Sequence, residues 1–184
     1  NYVFYASALV DSPFTRNSSC QSIGKGCFEK ILTLKSFIIP NGIVELDVLT
    51  FLNSSTNLEF VGFGNNPSLR VIKKNCFNGR SLQNGQAFSK LVIETLPDCV
   101  TTIEDYAFMY TAIVDSPFSP TSKCTSIGHQ AFAECTSLKE VFIPKDATFV
   151  TDLSNYGASN QKSGLFFNCQ SLERVTFHED TQVK

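Results

Sequence analysis

Residues 127–144 read IGHQAFAECTSLKEVFIP, and two features of that stretch decide the fold. Ile127 stands five residues before Phe132, and a run Leu138-x-x-Val141-x-Ile143 closes on Pro144. Apolar residues at every second position put their side chains on one face of a β-strand. Proline cannot donate to a ladder, so it ends the strand and turns the chain.

The same pattern recurs on both sides. The aliphatic-to-Phe spacing repeats at Ile23–Phe28, Leu46–Phe51, Ile72–Phe77 and Ile103–Phe108, and Phe4 and Phe166 extend the series. Successive anchors Phe4, Phe28, Phe51, Phe77, Phe108, Phe132 and Phe166 are 24, 23, 26, 31, 24 and 34 residues apart. The strand run recurs as LKSFIIP (34–40), LEFVGFG (58–64), LVIETLP (91–97) and LERVTFH (172–178); Glu94 breaks the apolar rule in the third. Gly-, Asn- and Ser-rich insertions near 79–88 and 152–164 read as surface loops. A longer period encloses the short one: 1–40 and 105–144 share 18 of 40 residues, so the segment 1–40 is duplicated at 105–144. One unit of this size cannot bury its own apolar face, so units must stack, each against its neighbours.

The string I-G-x-x-A-F-x-x-C-x-x-L-x-x-V-x-I-P at 127–144 resembles the BspA-like leucine-rich repeat, a class with a unit of about 23 residues found in surface proteins of mucosal bacteria and anaerobic protists. The resemblance implies a repeat solenoid, mainly β with short helical or 3-10 turns. In such a right-handed superhelix each repeat adds one strand to a parallel concave sheet. The whole chain, 1–184, is then expected to be a single leucine-rich-repeat array of about seven units, incomplete at both ends and a segment of something longer. Phe4 and Phe108 are followed by VDSPF (10–14 and 114–118) in place of an ordinary strand run, which marks two variant units.

Composition narrows the function. The chain has 184 residues, 15 Lys+Arg against 17 Asp+Glu, and a formal net charge of -2. Phosphate binding needs a basic face, so nucleic acid is not the expected partner. No apolar run reaches the ~18–20 residues of a spanning helix, so no membrane insertion is expected of this segment. Seven Cys cannot form a closed set of disulfides. Cys27 and Cys76 stand where Ala107 and Ala131 stand in other units, the pattern of a small buried residue. Cys135 and Cys169 each follow an anchor by three residues, and adjacent units bring like positions close, so a bridge between stacked equivalents, Cys135 with a neighbour for example, is open. Metal spacings such as C-x-x-C are absent, and no metal or cofactor is expected. His129 takes the place of Lys25 in the duplicate and reads as solvated; His178 closes a strand beside Glu179 and Asp180. No G-x-S-x-G, phosphate loop or H-E-x-x-H is present, so no catalytic residues and no enzyme are expected. Asn17-Ser18-Ser19 and Asn53-Ser54-Ser55 are glycosylation sequons in a secreted eukaryotic chain.

The strand positions that point away from the core are the candidate binding residues: Lys35, Ile38, Glu59, Phe60, Lys139, Glu140, Phe142, Glu173 and Arg174. Ile38, Phe60 and Phe142 are apolar where solvent favours polar side chains, and exposed apolar strips mark contact sites. Phe28, Phe51, Phe77, Phe108, Phe132 and Phe166 are the structural anchors. The reading is a non-catalytic protein-binding module that uses its concave face. By resemblance it is an adhesin at the cell surface or secreted, contacting a host or extracellular-matrix protein. The alternative is a cytoplasmic, cytoskeletal scaffold that grips a filament or assembly subunit.

Overall fold

The computed structural model describes residues 1–54, 58–79, 91–149 and 164–180. Apart from Gly79 and Gly164, both insertions lie outside them. The described residues hold ten strands and no helix. These are β1 (Ser36–Ile39), β2 (Glu45–Leu46), β3 (Phe60–Phe63), β4 (Val71–Ile72), β5 (Val92–Ile93), β6 (Thr102–Ile103), β7 (Ser126–Ile127), β8 (Glu140–Ile143), β9 (Thr148–Phe149) and β10 (Arg174–Phe177). Every pairing between them is parallel.

Each coil contributes twice to the ladders, where the sequence suggests one strand per repeat. The Leu-x-x-apolar runs form long rungs, in the orders β1-β3-β5 and β8-β10. The aliphatic residues five before Phe51, Phe77, Phe108 and Phe132 lie on a second ladder of short rungs, β2-β4-β6-β7-β9, whose last rung is Thr148–Phe149. Its inward column, Leu46, Ile72, Ile103 and Ile127, is fully buried. In the long rungs Phe37, Ile39, Val61, Phe63, Val141 and Ile143 point inward and are buried. Parallel strands suit this arrangement because a full coil of chain separates one rung from the next.

Between the two ladders runs a stack of phenylalanines. Phe4, Phe28, Phe51, Phe77, Phe108, Phe132 and Phe166 follow one another with ring centroids 5.2, 5.6, 5.0, 5.2, 5.3 and 5.9 Å apart. Successive planes lie within 21° of parallel, the largest angle being that between Phe132 and Phe166. Phe37 meets Phe28 and Phe51 edge-on at 4.6 and 4.8 Å, and Phe118 meets Phe132 likewise at 5.9 Å. Offset stacks and edge contacts are the two favoured aromatic geometries.

The backbone around each anchor explains the stack. The anchor N–H donates to the next coil: Phe28 to Thr50 O, Phe51 to Cys76 O, Phe77 to Ala107 O and Phe108 to Ala131 O, at 2.8–3.0 Å. Two residues before and two after the anchor, the chain adopts the left-handed conformation, as at Tyr106 and Tyr110 or Gln130 and Glu134. The amides between close tight turns on themselves, Met109 N–H to Tyr106 O and Thr111 N–H to Phe108 O among them. Left-handed residues on both sides of an anchor stop any helix from propagating, so these segments are turns and not short helices. A non-glycine residue in that region costs roughly 1–2 kcal/mol. The bonds to the next coil offset it.

The VDSPF segments form no strand but still bond like rungs. Lys35 N–H donates to Val10 O and Lys139 N–H to Val114 O, both at 2.8 Å. The next donor is taken by a side chain: Ile38 N–H donates to Ser12 Oγ and Phe142 N–H to Ser116 Oγ, both at 3.0 Å. Proline in the following position leaves no amide hydrogen there. On its other side the second segment accepts Leu96 N–H at Pro117 O, 2.8 Å. The long ladder is therefore divided at 114–118 into two pieces.

Candidate functional site

The outward face of the long ladder carries the nine candidate residues, and the register groups them in two patches. In the first, Lys35 and Glu59 immediately precede β1 and β3 and are exposed. Glu59 N–H donates to Lys35 O at 2.8 Å, which sets the two side chains in one row. The next outward row is Ser36, Phe60 and Val92, and the one after it Ile38 and Gly62. Ile38 and Phe60 thus share a face but not a row. They connect because the Phe60 ring lies across Gly62: a Cβ there would come within 2.9 Å of it. Gly62 is needed for that close approach. Val92 extends the apolar row and is 57% exposed. Val10, Leu32, Thr33, Lys35 and Glu59 line a shallow depression of about 320 Å³ at the patch's edge.

The second patch sits on β8 and β10. Lys139 and Glu173 precede the strands and are exposed, with Glu173 N–H donating to Lys139 O at 2.9 Å. Glu140 and Arg174 face each other as a ladder pair and form an ion pair at 3.3 Å. Phe142 is half-buried and meets the His178 ring edge-on at 6.3 Å. Each patch therefore combines an aromatic ring with a Lys–Glu row. The VDSPF rung at 114–118 lies between them, so the residues make two groups and not one unbroken set of columns.

The first patch also contains an ion pair that no motif announces. The Glu94 carboxylate accepts from Phe63 N–H at 3.1 Å and from both terminal nitrogens of Arg16. Arg16 Nη1 also donates to Phe63 O at 2.5 Å. Glu94 thus replaces the backbone acceptor that the next residue of β5 would offer, which is why β5 stops at Ile93. The bond from Arg16, more than any other contact, holds this carboxyl below its usual range against the opposing effect of burial. The sequence signal was there in the break of alternation at Glu94. Arg16, 78 residues away, carried none.

Other candidates fall into place singly. Cys27, Cys76, Cys124, Cys135 and Cys169 are buried. Burial pushes the Cys76 thiol well up and the Cys124 thiol to about 11, so neither is poised for chemistry. His129 is buried, not solvated: its ring packs edge-on to Tyr106 at 5.5 Å and its backbone N–H donates to Asp105. Lys25 has Tyr2 at the matching place and is exposed, so equivalence in sequence did not mean equivalence in solvent. Asn53 is 8% exposed and Ser54 buried beneath Phe28, which argues against the second sequon; Ser55 lies outside the described residues. Asn17 is exposed and accepts from Asn65 Nδ2 at 2.9 Å. Among the described residues no three His, Cys, Asp or Glu converge as metal ligands, and no helix is long and apolar enough to cross a membrane.

The family model for a BspA type leucine rich repeat region matches residues 1–93 and 84–183, with six copies. No curated protein matches the chain. Among solved structures, the chain is similar to a leucine-rich-repeat protein of T. pallidum, with 17% identity and a TM-score of 0.45 over 84% of this chain and 61% of that one. A leucine-rich repeat protein from Bacteroides ovatus gives 19% and 0.48 over 86% and 41%. A leucine rich cell surface protein from Faecalibacterium prausnitzii gives 21% and 0.33 over 78% and 49%. The chain therefore spans less than two thirds of each of these solved chains.

Proposed function

The chain belongs to the BspA type leucine-rich-repeat family, and from that premise we propose that it is a non-catalytic module that binds a protein through the outward face of its long ladder. The observation that carries the reading is the repeated composition of that face. Phe60 with Val92, and Phe142 with His178, are apolar groups left partly in solvent beside Lys–Glu rows. An aromatic centre with a charged rim of both signs is what protein interfaces select. Mixed charge and a net -2 do not suit a polyanion. The Phe stack holds the strands beneath, so the face is presented without a large ordering cost on binding.

The partner class we propose is an extracellular-matrix or host-surface protein, with the chain displayed at the cell surface or secreted. Family resemblance supports that setting; fold alone does not name a ligand. One observation favours the second reading, a cytoplasmic scaffold on a filament: all seven cysteines are free. Secreted proteins more often pair their thiols.

The test compares wild type with a Phe60→Ser/Phe142→Ser variant for binding to immobilised collagen, fibronectin and laminin, and for co-sedimentation with actin and tubulin filaments. Saturable matrix binding that drops at least tenfold in the variant, at unchanged thermal midpoint, supports the adhesin. Equal loss in co-sedimentation supports the scaffold. Binding that survives both substitutions moves the contact off this face.

A further inference from the structure

Three residues beyond the anchors Phe51, Phe108, Phe132 and Phe166 stand small hydrogen-bonding side chains, Ser54, Thr111, Cys135 and Cys169, the last two of them thiols. The Ser54 hydroxyl donates to Phe28 O, and Thr111 Oγ1 donates to Phe108 O at 2.7 Å. Cys135 Sγ bonds Phe108 O and Cys169 Sγ bonds Phe132 O, both at 3.2 Å. Cys135 and Cys169 thus occupy one position in adjacent coils. Those coils are tied before the pair by Phe132 N–H to Leu165 O at 3.2 Å and Glu134 N–H to Phe167 O at 2.7 Å, and after it by Glu173 N–H to Lys139 O at 2.9 Å. Their anchor rings stack at 5.9 Å.

The pair is asymmetric. Burial raises the Cys135 thiol well above its ordinary value. The neighbouring Cys135 thiol lowers that of Cys169, against the opposing effect of burial. Cys135 is fully enclosed, while Cys169 retains 9% exposure. Thiolate character and access together determine which sulfur of a pair reacts first.

We propose that Cys135 and Cys169 form an oxidisable dithiol that closes to a disulfide between adjacent coils when the protein meets a small peroxide. The Cys169 thiolate attacks one peroxide oxygen and the O–O bond breaks, leaving Cys169 as a sulfenic acid and releasing hydroxide, which takes up a proton to become water. The Cys135 sulfur then attacks the Cys169 sulfur. The S–O bond breaks, and the departing hydroxide leaves as water with the Cys135 proton. Two thiols lose two electrons in all, and one peroxide becomes two waters. The bridge requires the Cβ atoms to approach to about 3.5–4.5 Å, a distance that neighbours in one column can reach with a small closing of the coils. It would lock the last described coil to the one before it, across the intervening segment 136–168.

The experiment treats the intact chain with hydrogen peroxide, alkylates the remaining thiols and maps the tryptic peptides by mass. A cross-linked pair, lighter by two hydrogens and joining Cys135 to Cys169 on fragmentation, is the expected product. It should revert with dithiothreitol and be lost in Cys135→Ser and Cys169→Ser. Serine is a native occupant of this column at Ser54, so both variants should keep the fold, and circular dichroism checks that they do. In Cys135→Ser, dimedone should trap the sulfenic acid at Cys169. Full alkylation of both residues after peroxide, at a dose that oxidises Cys20 or Cys99, would overturn the proposal. So would sulfinic acid at Cys169 in the wild type with no cross-link.

Discussion

The two copies of the duplicated unit, 1–40 and 105–144, have nearly the same residues at their anchors and different surroundings. Phe4 and Phe14 are half-buried, while their equivalents Phe108 and Phe118 are buried. Pro13 is exposed and Pro117 buried; Cys20 is half-buried and Cys124 buried. The difference lies in the neighbours. Phe4 stacks on Phe28 alone, whereas Phe108 is held between Phe77 and Phe132. Burial in this fold is conferred by adjacent coils, not carried by the unit itself. That is the meaning of a quasi-one-dimensional array.

The sharpest way to break the comparison is to truncate the matched anchors. Phe108→Ala should destabilise the chain by about 3–5 kcal/mol, the range for a fully buried phenylalanine that leaves a cavity. Phe4→Ala should cost less than half as much, because its ring already meets solvent. Denaturant melts of the two variants give the answer. Equal losses would mean that both copies stand in the same environment, against the one-dimensional picture. The matched serines come next. Ser116→Ala leaves the half-buried amide of Phe142 without its acceptor, and the loss should lie toward the bottom of the range of about 1–3 kcal/mol usual for an unmet buried donor. Ser12→Ala should cost about as much, because Ile38 N–H is covered to the same degree, so here the copies should behave alike. Amide exchange at Phe142 and Ile38 reports the change directly.

How much of this was legible in the sequence depends on the periodicity involved. Alternation exposed the long strands, and the five-residue spacing found Phe28, Phe51, Phe77, Phe108 and Phe132, with Phe4 and Phe166 added by the period, because these patterns are local and dictated by which side chains face inward. Three things were hidden for identifiable reasons. The second ladder uses only two residues per coil, too few to show alternation: Thr102–Ile103 and Ser126–Ile127 look like loop. The left-handed residues beside the anchors are tyrosine, glutamine, glutamate and leucine as well as asparagine, and only Gly26 gives the usual glycine signal. At His129, identity by position in the repeat misled, because the copies differ in what covers them. The face residues were found one by one, but their division into two patches depends on Ser116 standing in for a backbone acceptor, which no single-strand pattern contains.

The smallest effect concerns the loop that follows VDSPF in each copy, and it separates the copies by charge. In the first, Arg16 grips Glu94; the second has Pro120 in place of Arg16, and Ser119 and Thr121 donate to Asp98 at 2.5 and 2.6 Å. Both carboxyls are held below their ordinary values, Glu94 chiefly by its bond from Arg16 and Asp98 chiefly by that from Ser119. A carboxyl depressed in the folded state stabilises the fold above its unfolded value, and that contribution fades as pH falls through the folded value. Acidification from neutral pH into the range below ordinary carboxylates should therefore weaken the wild type through both loops. Because the groups are largely solvated, each contribution should stay within about 1 kcal/mol. Arg16→Ala should flatten only the Glu94 part of the profile, and that part should shrink most in high salt, because the Asp98 loop is held chiefly by neutral donors, with the charge of Lys123 the smallest contribution. Stability measured by denaturant melts from pH 7 to pH 3, with and without 1 M salt, distinguishes the two. A salt response unchanged by Arg16→Ala would show that the first copy, like the second, is fastened by its backbone and hydroxyls and not by charge.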